Sequence, residues 1–259
     1  MILEPVPLLQ VARDLYAQPR GYGRFRQYLR VLIGADRNDP ELAPLIAMNP
    51  MAREHVAERI EEFLALGAEA IAARAVEEAR PVVADLPGEV FRVGLVVVDD
   101  LRGGWTSRPA IEFRLRFGDP LGPRPARDVK WRKWISAVLW ASEPASAEAV
   151  RAAVAAPIHR LAYGFRHGRA TTLRQRLAQE GRVLADAGCL GPTLDPEDLE
   201  YTRTVLAPLL DETDDRTSME CLFGDAPCRP LGFTPRGLSP WAGLALALHD
   251  ARTAAARGP

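Results

Sequence analysis

Three groups of residues have types and spacings that could do chemistry. The first is FRVGLVVVDDLRGGWTSR, residues 91–108, where an apolar run ends abruptly at Asp99 and Asp100 and continues into Gly103, Gly104, Trp105, Thr106 and Arg108. Carboxylates at the end of a strand are fixed by its packing while their side chains emerge into solvent. Such a pair can hold a hydrated magnesium ion or a ligand hydroxyl. The glycine pair allows close backbone approach, and its amides, with Thr106, Ser107 and Arg108, can receive an anion. The same residues also fit a plain turn, opened by Asp-Asp and completed by Gly-Gly, with Trp105 covering a sheet edge.

The second group is His159, Tyr163, Arg166 and His167. At about 100° per residue these share one polar helix face, opposite Ile158, Leu161 and Phe165. The two histidines are eight residues apart, about 12 Å along a helix axis, whereas ligands of one zinc sit about 2 Å from the ion, so one straight helix cannot offer both to a single metal. His159 with Tyr163, or Tyr163 with His167, can form a local acid–base pair, with Arg166 binding an anion; the alternative is a solvated polar face.

The third is Glu180. Leu173, Leu177, Leu184 and Ala187 form the apolar stripe of one helix, and Glu180 falls at its centre. A carboxylate in a leucine's place is costly unless paired, protonated or bound to a ligand. It therefore reads either as a buried ion pair with an arginine such as Arg166, or as a general base or ligand contact. The reversal at residues 168–171 makes Glu180 and the His159 helix expected neighbours.

A basic and aromatic patch, Lys130, Trp131, Arg132, Lys133 and Trp134 with Arg124 and Arg127, has the composition of a single-stranded nucleic-acid surface. Strand alternation sends its tryptophans to opposite faces, which favours core tryptophans with solvated neighbours. The sequence LVVVDD resembles the acidic strand of a nucleotide hydrolase, but no GxxxxGK[ST] loop accompanies it. Serine-elbow, GxGxxG, zinc-protease and calcium-loop motifs are also missing. Glu54-His55 lacks a second histidine four residues on, where Arg59 stands, so His55 reads as a boundary histidine bonded to a neighbour. Cys189, Cys221 and Cys228 have no metal spacing and read as reduced, partly buried thiols.

The chain of 259 residues, 47% hydrophobic and 26% charged with net charge −1, is that of an ordinary globular protein, with no bulk charge to attract nucleic acid or anionic membrane. No apolar run approaches the roughly 20 residues of a spanning helix, and the N-terminus lacks the basic flank of a secretory signal. A cytoplasmic location is expected.

Helical periodicity predicts two short helices over 8–32, a helix from Pro50 capped by Asn49 to Leu66, and another over 68–80. Residues 90–98 and 129–141 read as strands, and the alternation of Ile111, Phe113, Leu115 and Phe117 with charged residues reads as a third, over 110–117. Short loops between them imply a three-stranded antiparallel meander. The remainder is predicted helical: one segment to Ala156, another from Pro157 to Gly168, a helix capped by Thr172, one capped by Asp195, and a last one opened by Ser239-Pro240. Residues 211–238 are expected to be irregular.

The expected architecture is therefore α+β and mainly helical: a single domain with helices over residues 1–85, a central antiparallel sheet over 86–142 and further helices over 143–259. Two functional classes remain. One is an enzyme or small-molecule binder with a polar pocket between the sheet edge and the helical lobe, taking a small molecule or an anion. In it Glu180, His159, Tyr163 and His167 would be catalytic, while Asp99, Asp100, Gly103, Gly104, Trp105, Thr106, Arg108 and Arg166 would bind. The other is a non-catalytic interaction or structural protein, suggested by an amphipathic edge strand and the long 211–238 loop. The sequence names no cofactor and no metal.

Overall fold

The apolar run at residues 90–98 becomes β2 (Val90–Val98), the central strand of a sheet ordered β1-β2-β3. Both neighbours, β1 (Ile2–Val6) and β3 (Trp134–Trp140), run parallel to it, with Leu3 paired to Phe91 and Ile135 to Val93. The computed structural model describes residues 1–33, 41–101, 106–118 and 133–257.

The parallel arrangement corrects the antiparallel meander, and the cause is one segment. Residues 110–117 are not a strand but lie in α5 (Arg108–Phe117), which starts after Ser107 with Pro109 in its first turn, where a proline's missing N–H costs nothing. Arg108, Glu112 and Arg116 are then stacked at i, i+4 as ion pairs, and the rings of Phe113 and Phe117, also four apart, lie 5.1 Å from each other. A period of two and a period near four both fit Phe113 and Phe117, and the proline and the charge spacing decide for the helix. With that strand removed, β2 and β3 are separated by 35 residues, ample for a parallel crossover. Continuous burial of residues 93–98 is the mark of a strand covered on both faces. Pro5, which cannot donate to a ladder, sits on the edge strand β1, where that is tolerated.

Two compact units emerge. The first comprises residues 1–106 and 119–158 and holds the sheet with α1 (Leu9–Tyr16), α2 (Tyr22–Ile33), α3 (Glu54–Ala65) and α4 (Ala68–Ala79). Helices α1, α3 and α4 and the 3-10 turn Ala43–Ala47 pack on the sheet through Leu9, Leu45, Val56, Ile60 and Val76. Asn49 does not cap α3, which begins only at Glu54; its side chain instead closes a turn by accepting from the Met51 N–H.

The second unit comprises residues 107–118 and 159–259 and holds α5, α7 (Leu173–Asp186), α8 (Pro196–Leu206), α9 (Asp215–Phe223), α10 (Asp225–Cys228) and α11 (Ala242–Ala256). Its core gathers Phe113, Phe117, Leu173, Leu222, Phe223 and Leu244. Gly181 of α7 lies directly on the Ala247 backbone of α11, where a Cβ would collide, which sets how closely these two helices approach. Helix α6 (Ala147–His167) begins in the first unit and ends in the second, uninterrupted by Pro157; Val150, Val154 and Ile158 keep one buried stripe going through the proline. Residues 211–238 are largely helical rather than irregular, because Asp214 caps the Thr217 N–H and Cys221, Leu222 and Phe223 are drawn into the core.

Candidate functional site

Strand β2 delivers Asp99 to the carboxyl end of the central strand, where its side chain is 1% exposed. A carboxylate so placed must be hydrogen-bonded. Its Oδ1 accepts from His55 Nε2 at 3.0 Å and from the Leu101 N–H at 3.2 Å, and its Oδ2 accepts from Asn49 Nδ2 at 3.2 Å. Thr106 Oγ1 donates to the Asp99 main-chain carbonyl at 2.6 Å. His55 occupies the first turn of α3 and is partly exposed, with 22% of its side chain in solvent.

An ionised carboxylate only accepts, so this contact puts a proton on Nε2, and in the neutral form of the ring Nδ1 is then the lone-pair acceptor. Among the described residues none bonds to that Nδ1. A buried acid that fixes the tautomer of a partly exposed imidazole is the arrangement that makes a general base. Next to it, Asp100 accepts from the Ser142 N–H at 3.0 Å and from Ser142 Oγ at 2.6 Å, tying the end of β2 to the turn after β3.

Glu180 lies in the second unit and is fully buried. Arg160 grips it with Nε on Oε1 at 2.7 Å and Nη2 on Oε2 at 2.8 Å; Arg116 donates to Oε2, and Gln179 to Oε1 at 3.1 Å. Four donors fill the roughly four lone-pair directions of a carboxylate. Burial alone would raise its pKa, but the charges of Arg160 and Arg116 outweigh burial and bring it down to about 2. A carboxylate so saturated has no lone pair left for a substrate proton, which favours the ion-pair reading of this residue, with Arg160 and Arg116 rather than Arg166 as its partners. Arg116 also bonds Glu112, and Glu112 bonds Arg108, so five charges alternate along a chain of three arginines and two glutamates. The Arg108 guanidinium also lies 4.8 Å from the centre of the Trp241 ring.

On α6, the rings of Tyr163 and His167 are stacked at 4.4 Å between centroids, and Arg166 and His167 are exposed. His159 is half-buried. Burial lowers its pKa, with Arg166 acting in the same direction and Asp186 against it, so the ring is neutral at pH 7. Asp99, Asp100 and Thr106 thus come together in the first unit, and Glu180 joins Arg108 through Glu112 and Arg116 in the second. Gly103, Gly104 and Trp105 lie outside the described residues, as do Arg124, Arg127, Lys130, Trp131 and Arg132 of the basic patch.

Asp99 is the neighbour that the sequence leaves unnamed for His55, and Asn49 bonds to it instead of capping α3. The missed signal was Asp99 itself: an acid directly after a fully apolar strand needs donors, and a boundary histidine in a helix packed on that strand can supply one. Among the described residues no cluster of three or more His, Cys, Asp or Glu is placed to hold a metal ion, and no helix is long and apolar enough to cross a membrane. Compared with known proteins, the chain matches no family model, no curated sequence and no solved structure.

Proposed function

We propose that the first unit carries an acid–base site acting on a small polar molecule at the carboxyl end of the parallel sheet, with His55 as base and Asp99 as the group that orients it. The observation that carries this reading is the buried Asp99 carboxylate bonded to His55 Nε2, which leaves Nδ1 to take a proton. The location supports it too, because crevices at the carboxyl ends of parallel strands are where ligands of such sheets bind. Asp100, held by Ser142, and Thr106 flank the site as ligand contacts. Glu180 in this reading is the anchor of an ion-pair chain and takes no part in the chemistry. Three unpaired, buried cysteines support a cytoplasmic protein. The interaction-protein alternative draws on an edge strand over 110–117, which is helical, and on an irregular loop over 211–238, which is largely helical.

An activated imidazole hydrolyses reactive esters, so the test uses p-nitrophenyl acetate. The protein should release nitrophenol at least about tenfold faster than its His55→Gln and Asp99→Asn variants, since a positioned general base contributes roughly 10²–10⁴ in rate. Equal rates in all three proteins would remove the assignment.

A further inference from the structure

We propose that Asn49 is a positioning residue of this site, acting through Asp99 on His55. The inference rests on the reading of Asp99 and His55 as an orienting acid and a base. Asn49 is 7% exposed, and its amide oxygen, its amide nitrogen and its main-chain carbonyl bond to different residues. Its Oδ1 accepts from the Met51 N–H at 3.0 Å, its Nδ2 donates to Asp99 Oδ2 at 3.2 Å, and its main-chain carbonyl accepts from Tyr16 Oη at 2.6 Å. The amide therefore has one possible orientation: reversing it would turn the amide oxygen toward a carboxylate and the NH₂ toward an N–H.

The turn that carries Asn49 is itself fixed from outside. Tyr16, at the end of α1, holds its first carbonyl, and the buried guanidinium of Arg24 in α2 reaches the Ala52 carbonyl at 3.3 Å while also bonding the carbonyls of Gln18 and Tyr16. Fixation thus runs from α1 and α2 through the turn to Asn49, from Asn49 to Oδ2 of Asp99, and from Oδ1 of Asp99 to the ring. One oxygen held by Asn49 keeps the other turned toward His55. Asparagine suits this position because serine is too short to reach Asp99, while aspartate would set one carboxylate against another.

The test reads the His55 ring directly, by the imidazole N–H signal in ¹H–¹⁵N NMR spectra of the full chain. In the native protein the Nε2 proton, bonded to a buried carboxylate, should be visible and protected, and Asp99→Asn should abolish it. Asn49→Ser keeps a hydroxyl acceptor for the Met51 N–H, and Asn49→Asp keeps shape and acceptor, yet both lose the donor to Asp99. Each should speed exchange of the His55 Nε2 proton about tenfold or more, as expected when a hydrogen bond to a charged group is loosened. Backbone amide spectra report whether each variant is folded. A folded Asn49 variant with native protection of the ring proton would make Asn49 a turn residue only and overturn the proposal, with the acid–base pair intact. The failure of both variants to fold would likewise mark it as a turn residue. A native His55 with no protected Nε2 proton, or one unchanged in Asp99→Asn, would instead overturn the underlying reading of the pair.

Discussion

Replacing Glu180 by glutamine removes one charge and almost no volume from the second unit, and the consequence can be worked from its surroundings. The carboxyl group titrates at about 2 in the folded chain against an ordinary 4.5. At 1.36 kcal/mol per unit that depression corresponds to about 3 kcal/mol of stability at pH 7. The contacts lead to a similar figure: without the carboxylate, Arg160 loses both its bonds and Arg116 one of its two carboxylates, and unpairing a buried ion pair costs about 3–5 kcal/mol. Because the folded pKa lies below the unfolded one, the contribution is complete above pH 4.5 and is lost as the pH falls toward 2. Urea unfolding followed by circular dichroism should show the Glu180→Gln midpoint lower by about 1.5 M at pH 7, for a slope of about 2 kcal/mol per molar. At pH 3 the native protein has already lost part of this contribution, so the gap should shrink to about 1–2 kcal/mol. Glu180→Leu should lose stability at pH 7 as well, because leucine leaves the same two guanidinium groups unmatched. A gap below about 1 kcal/mol at pH 7, or one of the same size at both pH values, would refute the ion-pair account and return Glu180 to the candidates for chemistry.

The other predictions concern packing, capping and thiols. Gly181→Ala would push a methyl group into the Ala247 backbone and part α7 from α11, at a cost of about 1–3 kcal/mol, read as a melting temperature lower by roughly 2–12 °C. An unchanged melting temperature would show that the two helices are free to separate. Thr172→Ala removes the Thr172 half of a capping box, in which Thr172 accepts from the Gln175 N–H and Gln175 reaches back, and should cost about 1 kcal/mol in the same urea assay. Burial pushes the thiols of Cys221 and Cys228 up to about 11 and about 12, so at pH 8 both stay protonated. They should react with DTNB only after urea unfolding, and prompt reaction of either in the native protein would contradict its burial.

Local chemistry is legible wherever a short segment decides its own structure. Thr172 with Gln175, Asp195 ahead of Pro196, and Gly168 in the left-handed conformation after α6 mark helix ends whose signals lie within four residues. The direction of the sheet is not legible in the same way, because it depends on a single ambiguous segment. Ile111, Phe113, Leu115 and Phe117 alternate like a strand, yet Arg108, Glu112 and Arg116 are spaced like a helix, and in the second unit that spacing joins them to Glu180. Reading residues 110–117 as a strand makes the neighbouring connections too short for a crossover, and an antiparallel sheet follows. The better guide is β2: six successive buried apolar residues belong to a strand covered on both faces, and such strands are parallel far more often than not. The site is half legible for a related reason. Asp99 is visible as an acid at a strand end, but its partners Asn49 and His55 are 50 and 44 residues away in sequence, and only the parallel fold brings them to it.

Two buried carboxylates therefore separate by what surrounds them rather than by how unusual they look in sequence. Glu180 is the conspicuous one, an acid in a leucine stripe, and its environment is closed: two guanidinium groups and an amide occupy both oxygens, and the strong positive charge holds the proton off down to about pH 2. Such a group stabilises its neighbours at the expense of its own reactivity, since a base that weak cannot take a proton near neutrality. Asp99, an acid at the end of a strand, also fits a plain turn in sequence, yet among its donors is one that is itself a base with a second nitrogen. The Asn49 amide and the Leu101 N–H fix the Asp99 carboxylate in place, and His55 carries its influence toward the surface. An acid held by such donors and bonded to a partly exposed imidazole is the pairing on which the proposed acid–base site rests, and it lies at the carboxyl end of β2.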